Sequence, residues 1–235
     1  MDENDNNTNN NKQYFSSLKF VKQNGPNFSY SAGILPYSID KFGTVYVLLG
    51  KGIDGTWSDF GGKMEPSVDK FKPENTASRE FYEETMGSVL PINTVRDILK
   101  NPLSYKKITS KGPNNIYYYL YLIQIPYKYY RHYFQKIFSF LKYSKCVKRK
   151  FMEMTDIRWV PASTLFESSL STCKNFLSCD EEREFNSLVP LRSAFKINVI
   201  ENFQSLKTIF SDVKMYNYND NDNEMMKRFK IDDDI

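Results

Sequence analysis

Three glutamates on one helical face constrain this chain more than any other feature. The segment Arg79-Glu80-Phe81-Tyr82-Glu83-Glu84 lies in the strongest helix pattern of the sequence, from Glu74 to Met86. On a helix, Glu80, Glu83 and Glu84 stand at i, i+3 and i+4, so their carboxylates share one face. Because like charges repel, this arrangement calls for a positive partner. Hard divalent cations prefer such oxygen ligands, so the cluster predicts a metal site and, with it, a phosphate-containing ligand.

The predicted helix has clear ends. Pro73 stands at its entry, an acid follows in the first turn, and Gly87 lies just past its end, as is typical of helix boundaries. Upstream, the stretch from Gly55 to Lys63 predicts a glycine-rich turn that contains the pair Gly61-Gly62. The glutamates therefore fall in the second half of a helix that follows a turn.

Runs of β-branched and aromatic residues predict strands on both sides of that helix in the sequence. Residues 29 to 50 form two such runs around a polar turn and predict a β-hairpin. The aromatic and aliphatic run from Ile116 to Ile125 predicts a central strand, and Asp156 to Val160 a short one. A helical turn is predicted at 162 to 166 and a further helix from Leu191 to Phe210.

The segment from Tyr127 to Lys150 is basic and aromatic. It predicts an amphipathic helix whose apolar stripe consists of Tyr130, Phe134, Ile137, Phe138 and Leu141. From Pro126 to Met152 there are eight Lys or Arg residues and no acid. Such a block can guide a polyanion, either RNA or a polyphosphorylated small molecule, with Tyr and Phe rings available to stack on a base. In the simpler interpretation the aromatic residues are buried and the lysines are solvated, and His132 is a surface residue.

Length and composition predict one main domain. The 235 residues are 40% hydrophobic and 16% aromatic, which is ample for one core. The Asn-rich residues 1 to 12 predict a disordered tail, and residues 212 to 235, with seven acids and four bases, an acidic, flexible tail. The domain itself is expected to span residues 13 to 211.

Neither disulfides nor a membrane anchor are expected. Three cysteines without Cys-x-x-Cys spacing favour reduced, buried thiols over a disulfide framework or a zinc site. The apolar run at 117 to 125 is too short to cross a bilayer as a helix. The first residues lack both the basic and the apolar region of a secretory signal, so we expect a cytoplasmic protein without a membrane partner.

Gly61-Gly62, followed by Arg79-Glu80-Phe81-x-Glu83-Glu84 and a glycine, resembles the Nudix box, the signature of the Nudix hydrolases. The strand pair upstream and the segment Asp156 to Leu165 are also similar to that family, and the likeness covers about residues 30 to 210. The resemblance implies an α/β (α+β) fold with a mixed β-sheet sandwiched between helices. The basic segment at about 126 to 150 would then be a helical insertion, and the chain would end in a helical extension.

The box departs from the family pattern at its edges. The span from Gly62 to Arg79 is three residues longer, and Val68 occupies the position of the loop acid. Glu65 and Asp69 compete for that role, and the sequence does not choose between them. One extra residue precedes Gly87, which adds about one-third of a turn before the expected left-handed cap.

The resemblance implies roles for individual residues. Glu80, Glu83 and Glu84 would hold Mg²⁺ or Mn²⁺, with the carbonyl of Gly62 as a further ligand, and one glutamate could assist deprotonation of water. Arg79 would orient the cluster. Glu153, the isolated acid before the last strand, is a candidate extra ligand or base, or an ordinary strand-edge glutamate. Substrate contacts are assigned to Phe60, Lys63, Lys148, Arg149 and Lys150.

The implied activity is a metal-dependent pyrophosphohydrolase acting on a nucleotide-derived substrate, a nucleoside diphosphate linked to another group. Cleavage of the mRNA cap, with capped RNA as partner, is the sharpest specific hypothesis, because the basic segment suits RNA. Free nucleotides, dinucleoside polyphosphates and diphosphoinositol phosphates are alternatives. A further alternative is a Nudix-like module that binds nucleotide or RNA without turnover, which three intact glutamates disfavour.

Overall fold

A mixed seven-stranded β-sheet forms the centre of the computed structural model, which describes residues 29–112, 116–144, 149–171 and 189–213. The strands are β1 (Tyr30–Ile39), β2 (Val45–Gly52), β3 (Trp57–Ser58), β4 (Phe60–Lys63), β5 (Tyr105–Lys111), β6 (Tyr117–Gln124) and β7 (Met154–Pro161). The predicted tail at 1–12 lies outside the described residues, as does the tail at 212–235 except for its first two residues.

The strand order is β3-β2-β1-β6-β5, with β4 also paired to β1 and β7 to β2. β1 and β6 run parallel over the whole length of β6, from Tyr30 opposite Tyr117 to Tyr37 opposite Gln124. The other pairs are antiparallel, including the predicted β1–β2 hairpin. The expected mixed sheet is confirmed, and β4 places the glycine pair directly beside β1.

Helices cover both faces of the sheet. They are α1 (Pro66–Asp69), α2 (Pro73–Glu84), α3 (Ile92–Lys100), α4 (Tyr130–Tyr143), α5 (Ala162–Leu170), α6 (Ser193–Glu201) and α7 (Phe203–Ser211), with a 3₁₀ turn at Arg149–Met152. Alternate residues of the strands belong to two separate hydrophobic cores, one on each face of the sheet. Ile34 and Tyr121 pack with α2, α3 and α4 on one face, whereas Leu35 and Leu122 pack with α5, α6 and α7 on the other.

Two predicted helices have different bounds. The basic helix does not run to Lys150: α4 ends at Tyr143, and Ser144 is already extended, with φ −83° and ψ 124°. The apolar stripe explains this end, because Leu141 is its last member. The predicted helix at 191–210 is interrupted at Asn202, whose side-chain amide donates to the carbonyl of Asn198 and to Ser110 Oγ. The C-terminal extension is thus helical, in two pieces.

No helix in the described part of the chain is long and apolar enough to cross a membrane.

Candidate active site

Helix α2 carries the three glutamates against the edge of β4. Pro73 occupies its first turn, and the buried Ala77 and Phe81 anchor it to the core. Phe81 meets Phe60 of β4 edge to face, with ring centroids 5.4 Å apart. Because this face of α2 is fixed by packing, the glutamates of its second half are held beside the glycine pair.

Arg79 is a buried cation surrounded by carboxylates. Its guanidinium donates to Glu80 Oε1 at 2.8 Å, to Glu83 Oε2 at 3.2 Å and to the carbonyl oxygen of Lys63 at 2.9 Å. A further contact of 3.3 Å joins it to Glu65. Burial opposes the charge, but the carboxylates of Asp69 and Glu80 prevail and hold the pKa of Arg79 above its usual value. The positive partner required by the sequence is therefore present within the chain.

Asp69, and not Glu65, forms the strong pair with Arg79. Its two oxygens accept Nε and Nη2 of Arg79, each at 2.9 Å, in a bidentate arrangement. The backbone N–H of Glu65 and the hydroxyl of Thr76 donate to it as well, both at 2.8 Å. Although burial opposes it, the hydrogen bond from Arg79, with the other donors, holds the pKa of Asp69 below its usual value. Asp69 is 1% exposed and the Glu65 side chain 48%.

The expanded loop brings Asp69 to this position by an unusual backbone path. Asp69 closes the short helix α1, and Lys70 and Phe71 then both adopt left-handed conformations, with φ of 54° and 58°. The extra residue before Gly87 is accommodated in the same way, because Met86 has φ of 53°. The expected lengthening of the helix is therefore wrong: α2 ends at Glu84 and the surplus residue turns the chain.

Glu84 is the most unusual carboxylate of the cluster. It is 3% exposed, and its Oε2 is the one buried side-chain N or O atom among the described residues without a hydrogen-bond partner. Burial, with the neighbouring charges of Glu80 and Asp59, raises the pKa of Glu84 well above its usual value. Burial likewise raises the pKa of Glu80 to about 7. An unpaired buried carboxylate is costly, and a bound cation would remove that cost.

Gly62 leaves room for the Glu80 carboxylate. A Cβ at Gly62 would lie 2.5 Å from Oε1 of Glu80, so a side chain there would displace the glutamate. At Gly61 a Cβ would lie 2.5 Å from the hydroxyl of Tyr118 and 2.6 Å from the Cα of Gly33. The glycine pair thus permits two close approaches, one to helix α2 and one to the sheet.

Behind the glycine pair lies a buried acid that the sequence analysis missed. The Tyr118 hydroxyl donates to Asp59 in a short hydrogen bond, and Asp59 is 5% exposed. Burial raises the pKa of Asp59 to about 6, although Tyr118 and the charge of Arg192 oppose the shift. The sequence signal was available: Asp59 is an isolated acid between aromatic residues, two positions before Gly61.

Lys150 reaches the glutamate cluster. Its ammonium forms a short ion pair with Glu83 Oε1, and the neighbouring Phe151 packs edge-on against Tyr82 of α2 at 6.2 Å. Of the other predicted basic residues, Lys148 lies outside the described residues, and for Arg149 only its backbone position in the 3₁₀ turn is described. Lys150 and Arg79 therefore share the neutralisation of Glu83.

The remaining predicted site residues, Glu153, Lys63 and Phe60, differ in their exposure to solvent. Glu153 is exposed, yet its charge contributes to the raised pKa of both Glu80 and Glu84. Lys63 is exposed at the end of β4. The ring of Phe60, for which a substrate contact was predicted, is fully buried in the core and packs against Phe81.

The acids of the described residues do not form a ready-made metal site, since no three His, Cys, Asp or Glu side chains are placed together to hold an ion. The hydrogen bonds explain why: Glu80 and Glu83 are turned toward Arg79, and Glu83 also toward Lys150. The candidate metal ligands are nevertheless all oxygen atoms, and they include the unpartnered Oε2 of Glu84. The Glu80 carboxylate also lies close to the uncharged backbone of Gly62. That composition suits Mg²⁺ or Mn²⁺.

Comparison with known proteins gives matches among solved structures alone. No family model matches the chain, and no curated protein matches it. The chain resembles solved Nudix hydrolases. RenU from M. Smegmatis, a Nudix hydrolase, is 13% identical with a TM-score of 0.41, over 80% of this chain and 90% of that one.

Two further matches carry related names. The Nudix domain of Shewanella oneidensis NrtR, complexed with ADP ribose, is 14% identical with a TM-score of 0.40, over 76% of this chain and 87% of that one. The C. elegans Ap4A hydrolase is 14% identical with a TM-score of 0.30, over 59% of this chain and 82% of that one. These likenesses concern the fold, so function is inferred below from the residues of the site.

Because the pKa of Asp59 is raised in the fold, we expect the metal-free protein to lose stability as pH rises. Its pKa is 3.8 in the unfolded chain and about 6 in the fold, so the stabilisation is full below about pH 4 and lost as pH rises through about 6. The loss is on the order of 2 to 3 kcal/mol in the free energy of unfolding. In Asp59→Asn, which keeps an acceptor for Tyr118, the fall should be smaller by that amount.

Urea unfolding in EDTA at about pH 4.5 and about pH 7 measures this difference. Asp97→Asn is the matched control, because Asp97 lies in an exposed pair with Lys100 on α3. Equal pH dependence in wild type and Asp59→Asn would show that Asp59 titrates as an ordinary surface acid.

Proposed function

We propose that this chain is a metal-dependent pyrophosphohydrolase of the Nudix type, acting on a nucleoside diphosphate linked to another group. One observation carries the proposal: the buried carboxylate of Glu84, with an unpartnered oxygen, stands in a cluster with Glu80 and Glu83 beside the glycine pair. A buried carboxylate oxygen without a hydrogen-bond partner costs stability through its desolvation, so a purely structural role for the helix does not explain it.

Glu80, Glu83 and Glu84 would hold the metal, with the carbonyl of Gly62 as a further oxygen ligand. When bound, the ion supplies charge neutralisation on the phosphate oxygens and a water of lowered pKa. In hydrolysis, a water molecule adds to one phosphorus, the P–O bond to the bridging oxygen breaks so that this oxygen leaves with the other phosphate, and the water gives up a proton.

The chain's own residues prepare this site. Asp69 fixes the Arg79 guanidinium from behind, and Arg79 in turn holds Glu80 and Glu83 in place. Glu153 adds negative charge near Glu80 and Glu84 and is the candidate base, because it is exposed to solvent and is not engaged with Arg79. Lys63, exposed at the end of β4, is a candidate contact for substrate phosphate.

Capped RNA, free nucleotides and dinucleoside polyphosphates belong to the proposed substrate class, whereas diphosphoinositol phosphates, which contain no nucleoside, are an alternative substrate. The described part of the basic segment serves structure as well as charge. Arg131 pairs with Asp156 of β7 through a bidentate contact at 2.9 Å, and Lys150 pairs with Glu83. Lys128, Lys136 and Lys142 are exposed.

A substrate panel tests the proposal. Purified protein with Mg²⁺ or Mn²⁺ is incubated with ADP-ribose, a dinucleoside polyphosphate, a diphosphoinositol phosphate, nucleoside triphosphates and cap-labelled RNA, and the products are separated by chromatography. We expect cleavage at a pyrophosphate bridge that stops in EDTA. If folded protein cleaves none of them with either metal, but binds a nucleotide or RNA, the non-catalytic binding module replaces the hydrolase.

A further inference from the structure

Helix α4 exposes an aromatic face that its own packing does not require. The helix is anchored by Tyr130 and Phe134, which are 5% and 0% exposed. Four other rings point to solvent, with exposures of 70% for Tyr129, 50% for Tyr133, 75% for Phe140 and 85% for Tyr143. These four rings, with Lys136, are called the aromatic face below. Scattered exposed rings are ordinary, but three on one helix and a fourth at its N-cap are not.

The spacing places these residues on one side of the helix. Positions 129, 133, 136, 140 and 143 are separated by steps of four, three, four and three residues, which keeps them in one stripe about 21 Å long. The rings at one end are already ordered relative to each other. His132 lies parallel to Tyr129 at 6.3 Å and edge-on to Tyr133 at 5.7 Å.

Every charged side chain of the segment that carries the aromatic face is basic. Lys136 lies within it, Lys128 and Lys142 are exposed on the same segment, and no acid occurs from residue 126 to residue 152. A second copy of this chain would bring lysine against lysine across a two-fold axis, with no acid on the face to compensate. A ligand with flat rings and a negative backbone suits both the rings and the lysines.

We propose that the aromatic face of α4 binds single-stranded RNA. Bases stack on exposed tyrosine and phenylalanine rings without strict sequence preference, while lysines accompany the phosphates. The surface is distinct from the glutamate cluster and would serve equally as an RNA-binding face of a protein without turnover. If the substrate of the glutamate cluster is a capped RNA, the aromatic face holds the body of that RNA.

Fluorescence anisotropy tests the proposal with 5′-labelled oligouridine of about 12 nucleotides, which spans the usual site size. The full chain is titrated in EDTA, so that hydrolysis plays no part. We expect salt-dependent binding that is at least about tenfold weaker in Tyr133→Ala/Phe140→Ala/Tyr143→Ala, because the stacking platforms are gone. Lys136→Gln should reduce the slope of log affinity against log salt by about one.

The double variant Phe42→Ala/Leu103→Ala is the matched control, since those side chains are 81% and 93% exposed but lie outside α4. Its affinity should equal that of wild type, as should that of Glu84→Gln. Absence of RNA binding, or equal affinity in the triple variant, overturns the proposal. So does a wild-type dimer in light scattering that the triple variant converts to a monomer, which would make the face a contact between copies. Failure of the hydrolase proposal would leave all these RNA measurements unchanged.

Discussion

Glu84→Gln is expected to remove hydrolysis while leaving the metal-free protein as stable as wild type or more so. The amide has the same size as the carboxylate but carries no charge, so it removes a ligand and also the cost of burying a charge. Because burial and the neighbouring Glu80 and Asp59 raise the pKa of Glu84, its ionised form opposes folding at neutral pH. We expect kcat to fall by about a hundredfold or more, which corresponds to about 2.7 kcal/mol of barrier.

Two measurements on the same protein separate these effects. Turnover is measured with Mn²⁺ on the best substrate of the panel, and thermal unfolding is measured in EDTA and in Mn²⁺. Wild type should gain stability from Mn²⁺ through ligand binding, and Glu84→Gln should gain less. Glu167→Gln on α5 is the control, because Glu167 is exposed. Unchanged turnover, or an equal gain from Mn²⁺, would remove Glu84 from the metal site.

The parts of the fold that follow from local periodicity were predictable. The β-branched and aromatic runs in residues 29 to 50 and the dense apolar run before Ile125 correspond to the β1–β2 hairpin and to β6. The proline entry and glycine exit delimited α2 within about one to two residues, the usual uncertainty of helix ends. Each of these patterns extends over many consecutive residues, so neighbouring residues reinforce one another.

Other parts depend on contacts between distant residues. Helix α3 and strand β5, between residues 92 and 111, were not assigned, because β5 is polar on its exposed side and is defined by pairing with β6. The hydrogen bond between Tyr118 and Asp59 joins residues 59 positions apart. Nothing in the sequence near Lys150 indicates that its ammonium meets Glu83. Such pairs become visible only when the sheet brings their elements together.

The loop acid shows how one backbone conformation decides a choice that sequence leaves open. Glu65 and Asp69 are both acids at plausible distances from the glycine pair. Two successive left-handed residues, Lys70 and Phe71, turn the chain so that Asp69 is enclosed and Glu65 stays at the surface. Left-handed conformations are unfavourable for such residues, so local preference would not have predicted this turn.

Asp69→Asn is expected to destabilise the fold strongly, and Glu65→Gln hardly at all. The Asp69 carboxylate accepts four hydrogen bonds, two of them from Arg79. In Asp69→Asn, the amide NH2 group would face one of these hydrogen-bond donors, and the buried charge of Arg79 would lose a negative partner. We expect the free energy of unfolding to fall by about 3 kcal/mol or more. Glu65 makes a contact of 3.3 Å from a half-exposed side chain, and such surface pairs contribute about 0.5 kcal/mol.

Urea unfolding of the two variants in EDTA compares the acids directly, with no metal to restore the cluster. The Arg79 guanidinium also orients Glu80 and Glu83, so Asp69→Asn should weaken Mn²⁺ binding by about tenfold or more even in the fraction that folds, whereas Glu65→Gln should not. Electron paramagnetic resonance of free Mn²⁺ measures that affinity without turnover. Equal losses of stability in the two variants would mean that the acids share the role. A stable Asp69→Asn with normal Mn²⁺ affinity would show that Arg79 is held by its own glutamates, and that the expanded loop contributes no acid to the site.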